Sequence, residues 1–289
     1  MTTSSGKLYL VATPIGNLGD LGHRAVEILG QVDLIAAEDT RQTRHLLAHY
    51  AISSKLVSVH DHNEHRMVQR LVERMAGGES VALVSDAGTP LINDPGFELL
   101  NAAVDHGLCV IPVPGPCALV AALSVSGLAT DRFGFYGFPP RNSAARQAFF
   151  QSLVGQLGTL VFYESCHRII ECLNDCAEIF PVDRSLVVCR ELTKAHETII
   201  RTQVGDVISR LEHERYIDKG ELVLLIEGRG EHKTHTLLPE HVRMIEVLLA
   251  DCSVKRTAEL VAEITGLRRK LLYQAALEIK NRGSVRNPE

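Results

Sequence analysis

Val81-Ala82-Leu83-Val84-Ser85-Asp86-Ala87-Gly88-Thr89-Pro90-Leu91-Ile92-Asn93-Asp94-Pro95-Gly96 decides how the chain folds. Its first four residues are uncharged and apolar. They read as a strand covered on both faces, the mark of a parallel sheet. Residues 85–96 make a long connection, since a strand-to-helix loop usually needs roughly 2–6 residues. The loop sets Asp86 and Asp94, Pro90 and Pro95, and Gly88 and Gly96 at the carboxyl edge of a sheet. Open α/β sheets collect their ligands at that edge. Pro95 suits the first position of the next helix with Asp94 as its cap. Capping explains Asp94 but neither Asp86 nor Gly88, so a ligand-binding loop is expected.

Outward from this loop the pattern repeats. Short apolar strands at 8–11, 33–37, 56–59 and 109–113 alternate with helix-period segments at 21–29, 43–50, 65–75, 97–105 and 116–125. That alternation predicts a mostly parallel sheet with helices on both faces. Residues 129–141, rich in Gly, Pro and aromatics, read as a crossing between domains. A second α/β unit follows, with helices at 144–153, 167–180 and 207–213. Its strands fall at 160–163, 186–189 and 222–226, with an added strand at 198–201. The tail, 236–283, reads as wholly helical, with a helix-turn-helix over 253–264, Thr265-Gly266 and 267–280. The expected division is 1–128, 129–235 and 236–289.

Composition narrows the function classes. Of 289 residues, 45% are hydrophobic and 22% charged, which excludes a disordered chain. Lys and Arg number 30 against 35 Asp and Glu, so the net charge of -5 excludes a uniformly basic nucleic-acid coat. A local excess remains in the tail. There Arg268, Arg269, Lys270, Lys280, Arg282 and Arg286 face only Glu278 and Glu289, either as a phosphate-contacting patch or as a solvated helix end. Seven cysteines without a C-x-x-C pair fit neither a disulfide framework nor a zinc ribbon, so reduced thiols and a cytoplasmic location are expected. The start, Met1 to Lys7, has no signal-peptide pattern. Residues 109–130 carry no charge, but Pro112, Pro114 and Pro116 would break a membrane-spanning helix. A strand, a turn and a buried helix are expected there instead.

Other loops are candidates for chemistry. Glycines 16, 19 and 22 follow the first strand without the dinucleotide spacing or a Walker lysine. That loop is either a turn with Asp20 as a helix cap or a backbone cradle for a polar substrate. Gly115, held among Pro112, Pro114 and Pro116, permits close backbone approach to a ligand. Glu38-Asp39-Thr40-Arg41 suits substrate positioning or proton transfer; a capped helix start with a local ion pair reads equally well. His60-Asp61-His62-Asn63-Glu64-His65 straddles a strand end and a helix start, a poor zinc spacing. It is a substrate-facing edge or a solvated loop. Cys172 and Cys176 fall on one apolar helix face as core residues. Cys166-His167 has no evident orienting partner for nucleophilic work.

Taken in order, Ala12 to Leu18, Ala37 to Arg41, His60 to Glu64, Leu83 to Gly96, Pro112 to Ala118, Phe162 to Arg168, Arg190 to Lys194 and Lys219 to Val223 resemble the tetrapyrrole-methylase superfamily of S-adenosylmethionine-dependent methyltransferases. The resemblance covers residues 7–230 and extends to the helical tail. It implies two α/β domains of the class III methyltransferase type with a helical C-terminal extension, and S-adenosylmethionine held between the domains. It implies methyl transfer to the ribose 2'-hydroxyl of a decoding-region (P-site) cytidine in 16S rRNA. The substrate would be the small ribosomal subunit or its assembly intermediate, and the enzyme a homodimer. Cofactor contacts would come from Pro14, Asp86, Gly88, Thr89, Pro116 and Cys117, with Tyr163, Cys189 and Leu222 on the second-domain side.

A sulfonium methyl is already activated, so no metal is expected; what remains is in-line alignment and removal of the hydroxyl proton. Candidate acceptors are Glu38, Asp39, Asp94 and Glu164. Arg41, Arg190 and Lys194 are candidates to hold phosphate or to stabilise alkoxide charge. Carbon methylation of a corrin or porphyrin precursor is the alternative within this fold, and the basic tail argues against it. An RNA-binding module without activity would not need intact loops at 86–96 and 114–117.

Overall fold

The computed structural model describes residues 6–59, 64–212, 219–229, 237, 239–265, 267 and 269–284. The chain divides into two compact units, Met1–Gly228 and Arg229–Glu289.

The first unit opens with β1 (Lys7–Val11), α1 (His23–Gln31), β2 (Leu34–Ala37), α2 (Thr40–His49), β3 (Leu56–Ser58), α3 (Glu64–Ala76), β4 (Val81–Val84), α4 (Phe97–Asp105) and β5 (Cys109–Val113). The five strands form one parallel sheet in the order β3-β2-β4-β1-β5. All four residues of β4 are buried, as its uncharged run predicts. Helices α3 and α4 bury Met67, Leu71, Met75, Leu99 and Ala103 against one face. The other face takes Ala25 and Leu29 from α1, and Leu46 and Leu47 from α2. Central strands β1 and β4 end side by side, so the loops that follow them meet.

Two expected caps are corrected. The N-cap of α4 is Gly96 at φ 117, and Asp94 and Pro95 precede the helix. A Cβ on Gly96 would lie 2.5 Å from Leu83 Cδ2, so only glycine turns the chain there without collision. Asp20 closes a single 3-10 turn, Leu18–Asp20, capped by Asn17, and α1 starts after Gly22 with no side-chain cap.

Next come α5 (Ala118–Ser126), β6 (Phe133–Phe135), α6 (Ser143–Leu153), β7 (Thr159–Ser165), α7 (Ile169–Ile179), β8 (Ser185–Arg190), β9 (Thr198–Gln203), α8 (Val207–Glu212) and β10 (Glu221–Ile226). Their sheet runs β6-β7-β10-β8-β9 and is antiparallel except for β6 on β7. Part of the expected crossing, Phe133–Phe135, is thus an edge strand of this sheet. Helices α6 and α7 cover one face through Phe150, Leu153, Ile169, Leu173 and Cys176. The other face is covered by α5, whose Leu119, Ala122 and Leu123 pack on Val161, Val187, Cys189, Val223 and Leu225. Helix α5 therefore follows the first sheet in sequence but packs on the second. That explains its uncharged run: what resembles a membrane span is a nine-residue helix buried against a sheet. Among the described residues no helix is long and apolar enough to cross a membrane.

A buried ion pair ties α6 to α7. Arg146, 1% exposed, donates from Nε to Asp175 Oδ2 at 2.6 Å and from Nη1 to the carbonyls of Pro140 and Arg141. Ser143 and Gln147 donate to the other oxygen of Asp175. All seven cysteines are free thiols, and Cys172 and Cys176 lie in the core as expected.

The second unit packs α9 (Pro239–Leu249), α10 (Val254–Thr265) and α11 (Arg269–Ser284) around Ile245, Ala258, Val261, Leu267, Leu272 and Ala276. The last two helices confirm the expected pair with small shifts of their ends. Glu259 joins Arg256 to Arg269. Arg268 and Arg286, and the side chain of Arg282, lie outside the described residues.

Candidate active site

Three loops at the carboxyl edge of the first sheet are stitched together. Thr13 and Gly88 exchange backbone hydrogen bonds at 2.8 and 3.0 Å, and the Thr13 hydroxyl donates to the Ser85 carbonyl. Thr89 Oγ1 donates to the Pro116 carbonyl at 3.0 Å. Gly115 passes so close to Ala12 that a Cβ on it would lie 3.0 Å from that residue's Cβ. The close approach expected of Gly115 is thus made to a neighbouring loop. A fourth loop joins through Asp86, whose Oδ1 accepts from the Asp39 amide at 2.8 Å.

Two adjoining cavities open over this edge. The first, about 270 Å³, lies between the loops and the ends of β7, β8 and β10. Gly88, Thr89, Asp94, Cys117, Tyr163, Glu164, Cys189 and Leu222 line it, together with Ile15, Ile92, Asn93, Phe138, Leu192 and Val223. The second, about 350 Å³, is more polar, with Thr13, Pro14, Gly16, Gln42, Thr43, His45, Ser85, Asp86 and Lys194 in its wall. Ile15, Ala87 and Glu221 line both. Pro116 does not line the first cavity itself, but its carbonyl accepts from Thr89, which does.

The ionisable groups divide by environment. Burial pushes the Asp94 carboxyl above its usual range; the Ser85 hydroxyl offsets part of this, and the Asp86 charge adds to the rise. Burial pushes the Cys189 thiol up to about 12, so it stays protonated and is a wall rather than a nucleophile. Burial also raises the Tyr163 phenol, whose oxygen accepts from the Leu119 amide in the first turn of α5. Burial works against the Lys194 ammonium, but its bonds to Glu191 at 2.8 Å and Glu221 at 3.0 Å hold it above the usual lysine range.

Other candidates stand apart from both cavities or turn their side chains away from them. Asp39 caps α2 through the Arg41 amide and pairs with the Arg41 guanidinium. That side-chain bond, with the amide bond, lowers the Asp39 carboxyl to about 2. This is the capped, ion-paired helix start that the sequence also allowed. Neither residue lines either of these two cavities, and neither does Glu38. Glu164 borders the first cavity, but strand alternation puts its side chain on the face of Leu160 and Phe162, away from Tyr163. There its carboxylate, with 0% of the side chain exposed, lies 3.3 Å from Arg168 and accepts from the Ser165 amide. Arg190 turns into the fold, donating to the carbonyls of Lys219 and His196. Residues 60–63 lie outside the described residues; His65 sits 3.6 Å from Glu98.

Glu221, Phe138, Leu192, Asn93 and Ile15 were not singled out from sequence. All but Phe138 lie in segments that carry the resemblance, and the structure adds backbone strain beside them: Leu91, Asn93, Glu191 and Thr193 adopt positive φ.

The comparisons agree with this architecture. The cobalt precorrin-4 methyltransferase of cobalamin biosynthesis superposes with a TM-score of 0.55 at 18% identity, over 76% of this chain and 94% of its own. Uroporphyrin-III C-methyltransferase from Thermus thermophilus, complexed with S-adenosyl homocysteine, gives 0.52 at 19% identity over 78% and 98%. The fold is that of a class III methyltransferase. The family described as Tetrapyrrole (Corrin/Porphyrin) Methylases matches residues 7–208, and the RsmI C-terminal HTH domain matches 235–280. Ribosomal RNA small subunit methyltransferase I of Xylella fastidiosa is 48% identical over 271 residues, 94% of this chain and 99% of that protein. Its counterpart from Pasteurella multocida is 45% identical over 278 residues, 96% and 99%. The chain belongs to the tetrapyrrole methylase family, in the branch whose curated members carry the name ribosomal RNA small subunit methyltransferase I.

Proposed function

We propose that this chain transfers a methyl group from S-adenosylmethionine to small-subunit ribosomal RNA, at the ribose 2'-hydroxyl of a decoding-region (P-site) cytidine in 16S rRNA. The observation that carries the reading is the pair of adjoining cavities, the second the more polar of the two, on a chain whose relatives along nearly its whole length are named for small-subunit rRNA methylation.

The first cavity fits the donor. Its volume of about 270 Å³ falls just short of the roughly 300–1,000 Å³ of small-molecule sites, and it adjoins the second, with which it shares Ile15, Ala87 and Glu221. Apolar walls from Ile92, Leu192 and Val223 suit a purine ring, with Leu222 contributing backbone, and Asp94 offers a carboxyl to a polar group. Gly88, at φ 85, has Ile15 Cγ2 3.4 Å from where a Cβ would stand, so a side chain there would fill the cradle. Bound there, S-adenosylmethionine supplies a methyl already activated on a sulfonium. Gly88, Thr89, Cys117, Tyr163, Cys189 and Leu222 form the donor site proper, with Pro14, Asp86 and Pro116 fixing its loops. The protein's remaining work is to align the acceptor oxygen and remove its proton. Of the expected acceptors, Asp94 is the one whose side chain stands in a cavity, while Arg41, paired with Asp39 outside both cavities, is the group suited to meet phosphate. Lys194 stabilises negative charge at the wall.

The substrate is the small ribosomal subunit or its assembly intermediate, because a base inside folded RNA is reached through shape and splayed nucleotides. The family resemblance supports a cytoplasmic homodimer, divided in function into 1–128, 129–235 and 236–289. A corrin or porphyrin acceptor is disfavoured by the helical second unit, which matches an HTH family. The test is methyl transfer from labelled S-adenosylmethionine to small subunits from cells lacking this activity, with the product nucleoside identified. Label on a 2'-O-methylcytidine supports the reading; label on a base, or none, overturns it.

A further inference from the structure

The geometry points to the second cavity as the pocket for the acceptor nucleotide, and to Glu221, at the junction of the two cavities, as the group that takes the hydroxyl proton. This rests on the methyl-transfer reading above and adds to it a place for the acceptor and a base.

A methyl group moves between donor and acceptor over a few ångströms, so the acceptor oxygen must enter where the donor site opens. The structure has one such junction among the described residues, where Ile15, Ala87 and Glu221 line both cavities. Ile15 and Ala87 carry no polar side-chain atom, leaving Glu221 as the ionisable group of the shared wall.

Glu221 is also well fixed. It begins β10, which runs between β7 and β8 in the second sheet. Its backbone pairs with Glu191 through the Glu191 amide at 2.9 Å and the Glu191 carboxylate at 3.0 Å. Gly220 permits this approach: it adopts φ 93, and a Cβ on it would stand 2.4 Å from Glu191 Oε1. Lys194 holds Glu221 Oε2 at 3.0 Å, and the other oxygen carries no partner from that lysine. With 77% of its side chain exposed, Glu221 is free to meet a ligand from the open side.

The second cavity suits a nucleoside rather than a second apolar group. Gln42 and His45 bring polar side chains to its wall, while the hydroxyls of Thr13, Thr43 and Ser85 are spent on backbone carbonyls behind it. Its volume of about 350 Å³ lies within the roughly 300–1,000 Å³ of small-molecule sites. Nucleotides of folded RNA are recognised when splayed out of their stack, and a pocket of this size admits one. In the transfer step the 2'-O–H bond breaks and its proton passes to a Glu221 carboxylate oxygen. The O–CH₃ bond forms as the S–CH₃ bond breaks, and that bond's electron pair stays on sulfur, leaving a neutral thioether. Lys194 stays charged throughout and keeps Glu221 oriented.

The test compares the full-length wild type with Glu221→Gln and with Gln42→Ala/His45→Ala. Each is measured for single-turnover transfer to unmethylated small subunits, for S-adenosylmethionine affinity by calorimetry, and for subunit affinity in S-adenosylhomocysteine. Glu221→Gln should lower the single-turnover rate by roughly 10²–10⁴-fold, the span of general-base catalysis, with both affinities within twofold. The double variant should weaken saturation by subunits tenfold or more and leave donor affinity unchanged. A Glu221→Gln rate within threefold of wild type overturns the inference, and so does a loss of donor affinity in step with the rate. Wild type that binds donor but methylates no subunit instead overturns the functional reading, and the inference falls with it.

Discussion

Gly16 lies directly against Lys194: a Cβ on the glycine would sit 2.3 Å from the lysine's Cγ and 3.1 Å from its Cε. The loop after β1 thus carries the aliphatic stem of a residue whose ammonium joins Glu191 and Glu221. Gly16→Ala should displace that stem and loosen its grip on Glu221. We expect transfer to small subunits to fall at least tenfold, with the urea midpoint little changed because the displaced side chain is partly solvated. Steady-state kinetics beside a urea melt check this.

Asp94 should give pH-dependent stability. Its carboxyl titrates higher folded than unfolded, because burial disfavours its charge. The folded state then binds more protons, so this group's contribution is fully present below the unfolded value and is lost as pH rises through the folded one. Asp94→Asn should remove that decline and be more stable than wild type at neutral pH. The advantage should vanish in acid, and donor affinity should weaken at every pH. Denaturant melts from pH 4 to 8 would show parallel curves if Asp94 were not the cause.

Arg146 and Asp175 form the most buried charged pair described, with 1% and 8% of their side chains exposed. Breaking a buried pair on one side typically costs about 3–5 kcal/mol, because the surviving charge loses its partner. Arg146→Ala should fall in that range by urea unfolding. Replacing both residues with apolar ones of similar volume should recover much of the loss.

The helical second unit should be separable from donor binding. Removing residues 236–289 should leave S-adenosylmethionine affinity intact while weakening small-subunit binding and flattening its dependence on salt, since phosphate contacts set that slope. Filter binding across a salt series, beside calorimetry, reads both. Collapse of donor affinity would show instead that the tail supports the first unit.

The parallel sheet was legible because its strands are covered on both faces and so lack alternation, as in Val81–Val84. The donor cavity was legible in part, because Gly88, Asp94 and Cys117 lie on loops too long or too rigid for mere connection. The caps of α4 and α1 were misread because Asp94 and Asp20 satisfy the local rule while Gly96 and Gly22 hold the positions. Glu164 resembled an acceptor until strand register put it on the face opposite Tyr163. Glu221 lies in Lys219–Val223, one of the segments that carry the resemblance, but nothing local in the sequence assigns it a role. Only its pairing with Glu191 and Lys194, distant in sequence, brings it to the cavities.

The exchange of α5 between the two sheets governs how this chain can be dissected. A fragment stopping at residue 128 would carry an apolar helix stripped of the surface it covers, and a fragment starting at 129 would bare Val161, Val187, Val223 and Leu225 to water. Both pieces would be prone to aggregate. A split gene that is to reassemble must cut ahead of the helix, within the proline-rich strap, so that it travels with its own sheet.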